Sequence, residues 1–178
     1  VVAAGKFPLG MGGEHLVSWP VIKAIYKKHP DLAIIHMDAH TDLRSDYEGA
    51  YYGMYFLEIC DYCTRENNDE RELLKLLYQS LRALGVPSLP RKLVRYIFEI
   101  RTVVINGEFP GLPDASQYQE STCYAVSHIV SAPLGKLYTF AVSGQVLEEL
   151  GKLADNYRKY SLDTAFKSLE ILEMFSVS

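Results

Sequence analysis

The sequence predicts a mixed fold, with an N-terminal α/β fragment followed by a mainly α-helical domain. Two observations carry this. Between Val1 and Leu43, a glycine-rich turn and a helical stretch precede LAIIHMD, an apolar and partly β-branched run. That order is the pattern of a βαβ unit. From about Gly49 onward, apolar residues recur at helical spacing. The alternating strands that a continuing doubly wound sheet needs are missing there. The change in character sets the boundary, with residues 1–48 in the first part and 50–178 in the second.

Each element follows from its residues. FPLGMGG reads as a strand end entering a glycine-rich turn. Ser18 to His29 reads as a helix, with Ser18 as N-cap, Pro20 in the first turn and Val21, Ile22, Ile25 and Tyr26 as an apolar stripe. Pro30 and Asp31 stop it. LAIIHMD reads as a buried parallel strand. Its polar end lies where open α/β sheets place their sites. Tyr51 to Thr64 is aromatic and apolar at helical spacing, and ENNDE (66–70) breaks it. Glu72 to Leu84 is amphipathic, with Leu73, Leu76, Leu77, Leu81 and Leu84 on one face. VPSLP is a proline-marked turn before a helix from Arg91 to Asn106. GEFPGLPDAS is an irregular loop, and further helices are predicted over Thr122–Val130, Gly144–Tyr160 and Thr164–Met174, with a turn at Pro133. The predicted core is Tyr55, Ile59, Leu73, Leu77, Leu81, Ile97, Ile100, Val104, Phe140, Leu147, Leu150, Leu169 and Leu172. The N-terminal βαβ unit is expected to pack loosely, because alone it buries little apolar area.

Composition narrows the function classes. The 178 residues suffice for one domain or two small ones, and 48% hydrophobic with 22% charged residues is ordinary for a soluble protein. A net charge of -4 argues against a surface that coats nucleic acid. Cys60, Cys63 and Cys123 make no disulfide framework, which suits a reducing cytoplasm. No apolar run is long enough to span a bilayer. VVAAGKF lacks the pattern of a signal peptide, and Val1 in place of Met points to an incomplete reading frame or a trimmed chain.

The densest chemistry is Asp38-Ala39-His40-Thr41-Asp42. Aspartate oxygens and imidazole nitrogens suit Mn²⁺, Zn²⁺ or Fe²⁺. In an extended segment Asp38, His40 and Asp42 project to the same side. His15, after Gly12-Gly13, can join them from the neighbouring strand end. An isolated motif of this kind reads equally as a polar turn. His29 reads as a surface residue and His36 as a core histidine. Cys60-x-x-Cys63 has no second pair or histidine partner, so it reads as half-buried thiols rather than a zinc or redox site. Arg91, Lys92, Arg95 and Arg101 form a basic stripe, which is either a solvated face or a contact for phosphate or an acidic peptide.

Gly12-Gly13-Glu14-His15 and Asp38-Ala39-His40-Thr41-Asp42-Leu43-Arg44, with the helix and strand between them, resemble the agmatinases of the arginase/ureohydrolase family. The resemblance makes the first part a partial ureohydrolase βαβ unit. It implies that His15 and Asp42 bind one manganese, that His40 binds a second and that Asp38 bridges them. It also implies attack of a metal-bridging hydroxide on agmatine or a related guanidino compound, with release of urea. Two metals lower the pKa of the shared water and stabilise the tetrahedral intermediate. The family pattern then stops. Tyr47-Glu48-Gly49 is followed by AYYGMYF instead of a Ser-His-Ala segment, and no D-x-D occurs after Asp42. With half its acidic ligands missing, such a site balances metal charge poorly, so no residue is assigned a catalytic role and the chain is expected to be inactive as an enzyme.

AYYGMYFLEICDYCTRENNDERELLKLLYQSLRAL, PRKLVRYIFEIRTVVINGEFPGL and KLYTFAVSGQVLEELGKLADNYRKYSLDTAFKSLEIL resemble the helical C-terminal region of the RecO family of bacterial DNA repair and recombination proteins. That resemblance implies RecR and the tail of single-stranded-DNA-binding protein as partners. Its members pair this region with an OB-fold, which is expected to be absent here, so direct DNA binding is expected to be weak. Asp114 to Cys123 carries one cysteine where many relatives carry a four-cysteine site, so no zinc is expected in the helical domain. The two resemblances meet between Tyr47 and Ala50. The simplest account is a composite chain, truncated at its N-terminus, in which the rest of the sequence does not complete the metal site.

Overall fold

The computed structural model describes residues 18–31, 47–65, 68–162 and 164–175. The chain separates into two compact units, Val1–His40 and Thr41–Ser178.

In the first unit, α1 spans Ser18–Tyr26. It stops about a turn before His29, and the amides of Lys28 and His29 both close back onto the Ile25 carbonyl at 2.9 Å. The predicted FPLGMGG and LAIIHMD strands lie outside the described residues. Among the described residues all regular structure is helical, so the α/β part of the expectation has no counterpart there.

The second unit is a helical domain built on α2 (Tyr47–Cys63), α3 (Arg71–Leu84), α4 (Arg91–Ile105), α5 (Glu120–Ser131), α6 (Gly144–Ser161) and α7 (Lys167–Phe175). A single 3₁₀ turn, Leu134–Lys136, links α5 to α6. α4 is the central element. It packs against α2, α3, α5 and α6, and α7 lies along α2. Each helix buries the stripe its spacing dictates. On α2 that stripe is Tyr52, Tyr55, Phe56 and Ile59, and on α3 it is Leu73, Leu76 and Leu77 with Ser80 and Ala83. On α4 nearly the whole circumference is covered, from Leu93 and Val94 through Ile97, Phe98 and Ile100 to Val103. Phe56 stacks on Phe98 with ring centroids 4.2 Å apart, joining α2 to α4. Of the predicted core, Leu81, Val104, Phe140 and Leu147 are half-buried at its margin, whereas the others are buried.

Helix ends are fixed by groups distant in sequence. The Glu58 carboxylate on α2 accepts from the backbone N–H of Lys167 (3.2 Å) and of Ser168 (2.9 Å) and from the Ser168 hydroxyl, and so caps α7. Glu149 on α6 accepts from the Gln119 N–H (3.1 Å) and the Thr122 hydroxyl (2.6 Å) at the start of α5. Both place a carboxylate at the positive end of a helix. α4 ends in a Schellman arrangement, in which Glu108 N–H donates to the Val103 carbonyl and Gly107 N–H to that of Val104, both at 3.1 Å. This turn needs Gly107 at φ 76°.

Candidate functional site

His15, Asp38, His40 and Asp42, the metal ligands implied by the agmatinase resemblance, lie outside the described residues. Among the described residues, no group of three or more His, Cys, Asp and Glu side chains could hold a metal ion.

Cys60 and Cys63 sit on one face of α2 near its end, and both are half-buried free thiols, as is Cys123 on α5. Burial pushes the Cys60 thiol up to about 12, with Cys63 adding to the effect. Cys63 is also raised by burial, although the Asn106 side chain donates to its sulfur at 3.2 Å and works the other way. Raised thiols are poor nucleophiles and poor metal ligands.

The four basic residues of the predicted stripe divide into two pairs. Arg95 turns inward, its side chain 12% exposed, with Nε 3.0 Å from Glu99 Oε1 and Nη2 3.3 Å from Glu173 Oε1 on α7. Its guanidinium also lies over the rings of Tyr55 (5.5 Å) and Tyr96 (5.7 Å). Burial alone would lower the Arg95 pKa. The Glu99 carboxylate, with Tyr55 and Glu173, outweighs it and holds the guanidinium protonated well above its usual range. Arg101 donates Nη1 to the carbonyls of Ile129 (3.0 Å) and Val130, closing the end of α5. These two are bound to internal partners, so the stripe is not one solvated face.

Arg91 and Lys92 both line a groove of roughly 500 Å³. Its floor is Tyr52 from α2, Leu84, Val86 and Leu89 from the end of α3 and the proline turn, and Leu147 from α6. Two prolines, Pro87 and Pro90, hold the turn that forms one wall. Pro90 also precedes the first turn of α4, where the missing N–H has no intrahelical duty. The lining thus combines apolar side chains with two cations.

A buried ionic cluster centres on Glu99 of α4. Glu99, 1% exposed, accepts from the Tyr55 hydroxyl at 2.5 Å and from Arg95, and Arg158 Nε lies 4.0 Å away. Arg158 is tied in turn to Asp155. Burial pushes the Tyr55 hydroxyl far above the ordinary tyrosine range, and the Glu99 charge adds to that. The cluster joins α2, α4, α6 and α7. Its sequence signal was present, because Glu99 stands four residues after Arg95 between apolar Phe98 and Ile100.

Comparison with known proteins gives two families. The Arginase family matches residues 1–73, and the family of the recombination protein O C terminal matches residues 44–113. Agmatinase of Bacillus subtilis strain 168 is 82% identical over 49 residues, covering 28% of this chain and 17% of its own length. Agmatinase of Bacillus anthracis is 64% identical over 66 residues, covering 36% of this chain and 23% of its own length. DNA repair protein RecO of Acetivibrio thermocellus is 25% identical over 170 aligned residues, covering 77% of this chain and 67% of its own length. The chain thus spans about a fifth of these agmatinases. No solved structure matches it. The chain is thus similar to two families, with residues 1–73 matching the Arginase family and residues 44–113 matching the recombination protein O C-terminal family, and its likeness to RecO extends over 77% of its length.

Proposed function

We propose that the helical unit is a partner-binding domain of DNA repair and recombination, and that the groove at the start of α4 takes an acidic peptide ending in an aromatic residue with a free carboxylate. The observation that carries this is the pairing of an apolar floor, Tyr52, Leu84, Val86, Leu89 and Leu147, with Arg91 and Lys92 in the same lining. The cations steer the acidic segment and the floor holds the ring. The RecO resemblance supports the tail of single-stranded-DNA-binding protein as that peptide, with RecR as a further partner. Direct DNA binding is weak in this reading, because the net charge is -4. A fluorescence titration with a labelled tail peptide tests it. Binding is expected at about micromolar affinity, near −8 kcal/mol, and should weaken with salt. Replacing Arg91 and Lys92 with Glu should weaken it at least about tenfold, since both charges in the lining change sign. Unchanged affinity in that variant, or tight binding to single-stranded DNA, would overturn the proposal.

The 82% identity to Bacillus subtilis agmatinase over 49 residues supports a second reading, manganese-dependent hydrolysis of agmatine or a related guanidino compound. Because no D-x-D follows Asp42 in this sequence, no urea release is expected even with added Mn²⁺. Weak binding of one ion, reduced by His40→Ala or Asp38→Ala, is compatible with this. Turnover at roughly one per second or faster would restore the hydrolase as the principal function.

A further inference from the structure

We infer that Glu173 on α7 is a built-in competitor for the partner's acidic residues, so that α7 limits how tightly the groove binds. This rests on the groove reading above. Arg91 lines the groove. Arg95 is four residues further along α4, so it follows on nearly the same face about 6 Å along the axis. An acidic segment seated at Arg91 and extending one turn toward the α7 edge, where Glu173 stands exposed, therefore reaches the Arg95 guanidinium. That guanidinium is already spoken for on both edges. Its inner edge, Nε, is held by buried Glu99 at 3.0 Å, and its outer edge, Nη2, by Glu173 at 3.3 Å.

The two contacts differ in kind. Glu99 is 1% exposed and cannot leave, whereas the Glu173 side chain is 59% exposed and stands at the solvent edge. An exposed pair of this sort exchanges with water and with other anions at small cost. Glu99 and the Tyr55 and Tyr96 rings keep the guanidinium in place when Glu173 departs. Arg95 thus presents a positioned Nη2 edge that one carboxylate at a time can occupy. Glu173 takes it in the free protein, and a partner carboxylate takes it in the complex.

The test uses the full chain and a fluorescein-labelled acidic peptide with a C-terminal phenylalanine, read by anisotropy. Glu173→Gln should tighten binding about three- to tenfold. Glu170→Gln removes the same charge from the exposed side of the same helix and should change affinity less than about twofold. The gain from Glu173→Gln should vanish with a peptide whose acidic residues are changed to Asn or Gln. If Arg91→Glu weakens binding but Glu173→Gln leaves it unchanged, or if both α7 variants tighten it equally, the competitor role is overturned and the groove stands. If Arg91→Glu leaves binding unchanged, the groove fails and the competitor role fails with it.

Discussion

Glu99→Gln removes the negative centre of the buried cluster while keeping the side chain's size. In the native protein the Glu99 carboxylate serves Tyr55 at 2.5 Å and Arg95 at 3.0 Å, and Arg158 Nε stands 4.0 Å away. Its own side chain is 1% exposed, and those of Arg95 and Arg158 are 12% and 9% exposed. Glutamine can still accept from Tyr55, so that hydrogen bond weakens from charge-assisted to neutral. The arginines keep Glu173 and Asp155 at their outer edges but lose their inner counter-charge. Removing one partner of a buried pair costs about 3–5 kcal/mol, and these outer contacts reduce the loss here to about 3 kcal/mol. With a urea slope of about 2 kcal/mol per molar, the midpoint should fall by about 1.5 M. Circular dichroism at 222 nm during urea titration reads this directly, because the helical unit supplies most of the signal. A shift below about 0.5 M would refute the view that Glu99 neutralises the cluster. A control follows from the same reasoning. The double variant Glu99→Met, Arg95→Met removes both charges together and should be more stable than Glu99→Gln.

Other outcomes follow from single contacts. Gly107→Ala puts a Cβ into a left-handed position with nothing within 4 Å to clash, so the loss is backbone strain alone, about 1–2 kcal/mol in thermal or urea unfolding. Burial works to raise the Glu58 carboxyl, but the Ser168 and Lys167 hydrogen bonds hold it below its ordinary value of 4.5. Its folded pKa is therefore the lower one, and the cap on α7 contributes in full above about pH 4.5 and is lost as pH falls through the folded value. Amide exchange of α7 should accelerate across that window, and Glu58→Gln should remove the pH dependence. Cys60, raised to about 12, should react with iodoacetamide at pH 8 much more slowly than a free cysteine in unfolded protein, as read by mass spectrometry.

The helices of the second unit were legible because their apolar spacing is regular. α3 and α4 begin and end within a residue of the predicted positions, since prolines and polar breaks bound them. α7 was less so. It begins at Lys167, and the preceding Phe166 turns inward between Tyr55 and Tyr62, at 5.9 and 5.8 Å. Its start is set by Glu58, a partner that no local pattern exposes. The internal partners of the basic stripe were hidden for the same reason. Arg91, Lys92, Arg95 and Arg101 look equivalent in sequence, yet whether a guanidinium faces water depends on what packs opposite. Glu99 and Glu173 wait for Arg95, and the carbonyl end of α5 waits for Arg101. Spacing gives the face of a helix, and only the neighbouring helices give its charge partners.

The two family matches overlap over residues 44–73, and packing assigns that overlap a structural role. Residues 47–63 form α2. Its Tyr52, Tyr55, Phe56 and Ile59 are 0–1% exposed against the other helices of the second unit. Tyr55 also supplies the hydroxyl that Glu99 accepts, and Glu58 supplies the cap of α7. A fully buried aromatic side chain contributes about 1.5–3 kcal/mol through apolar area alone. Tyr52, Tyr55 and Phe56 together therefore stabilise the unit by an amount comparable with the net stability of a small domain. A segment on which the core depends this heavily is part of the helical domain, whatever its first residues resemble. The RecO-like unit accordingly starts no later than the first turn of α2, and deletion of residues 47–63 should leave the remaining helices unable to fold cooperatively. A cooperative urea transition in that deletion variant would show instead that α2 is an appendage and that the folded unit begins at α3.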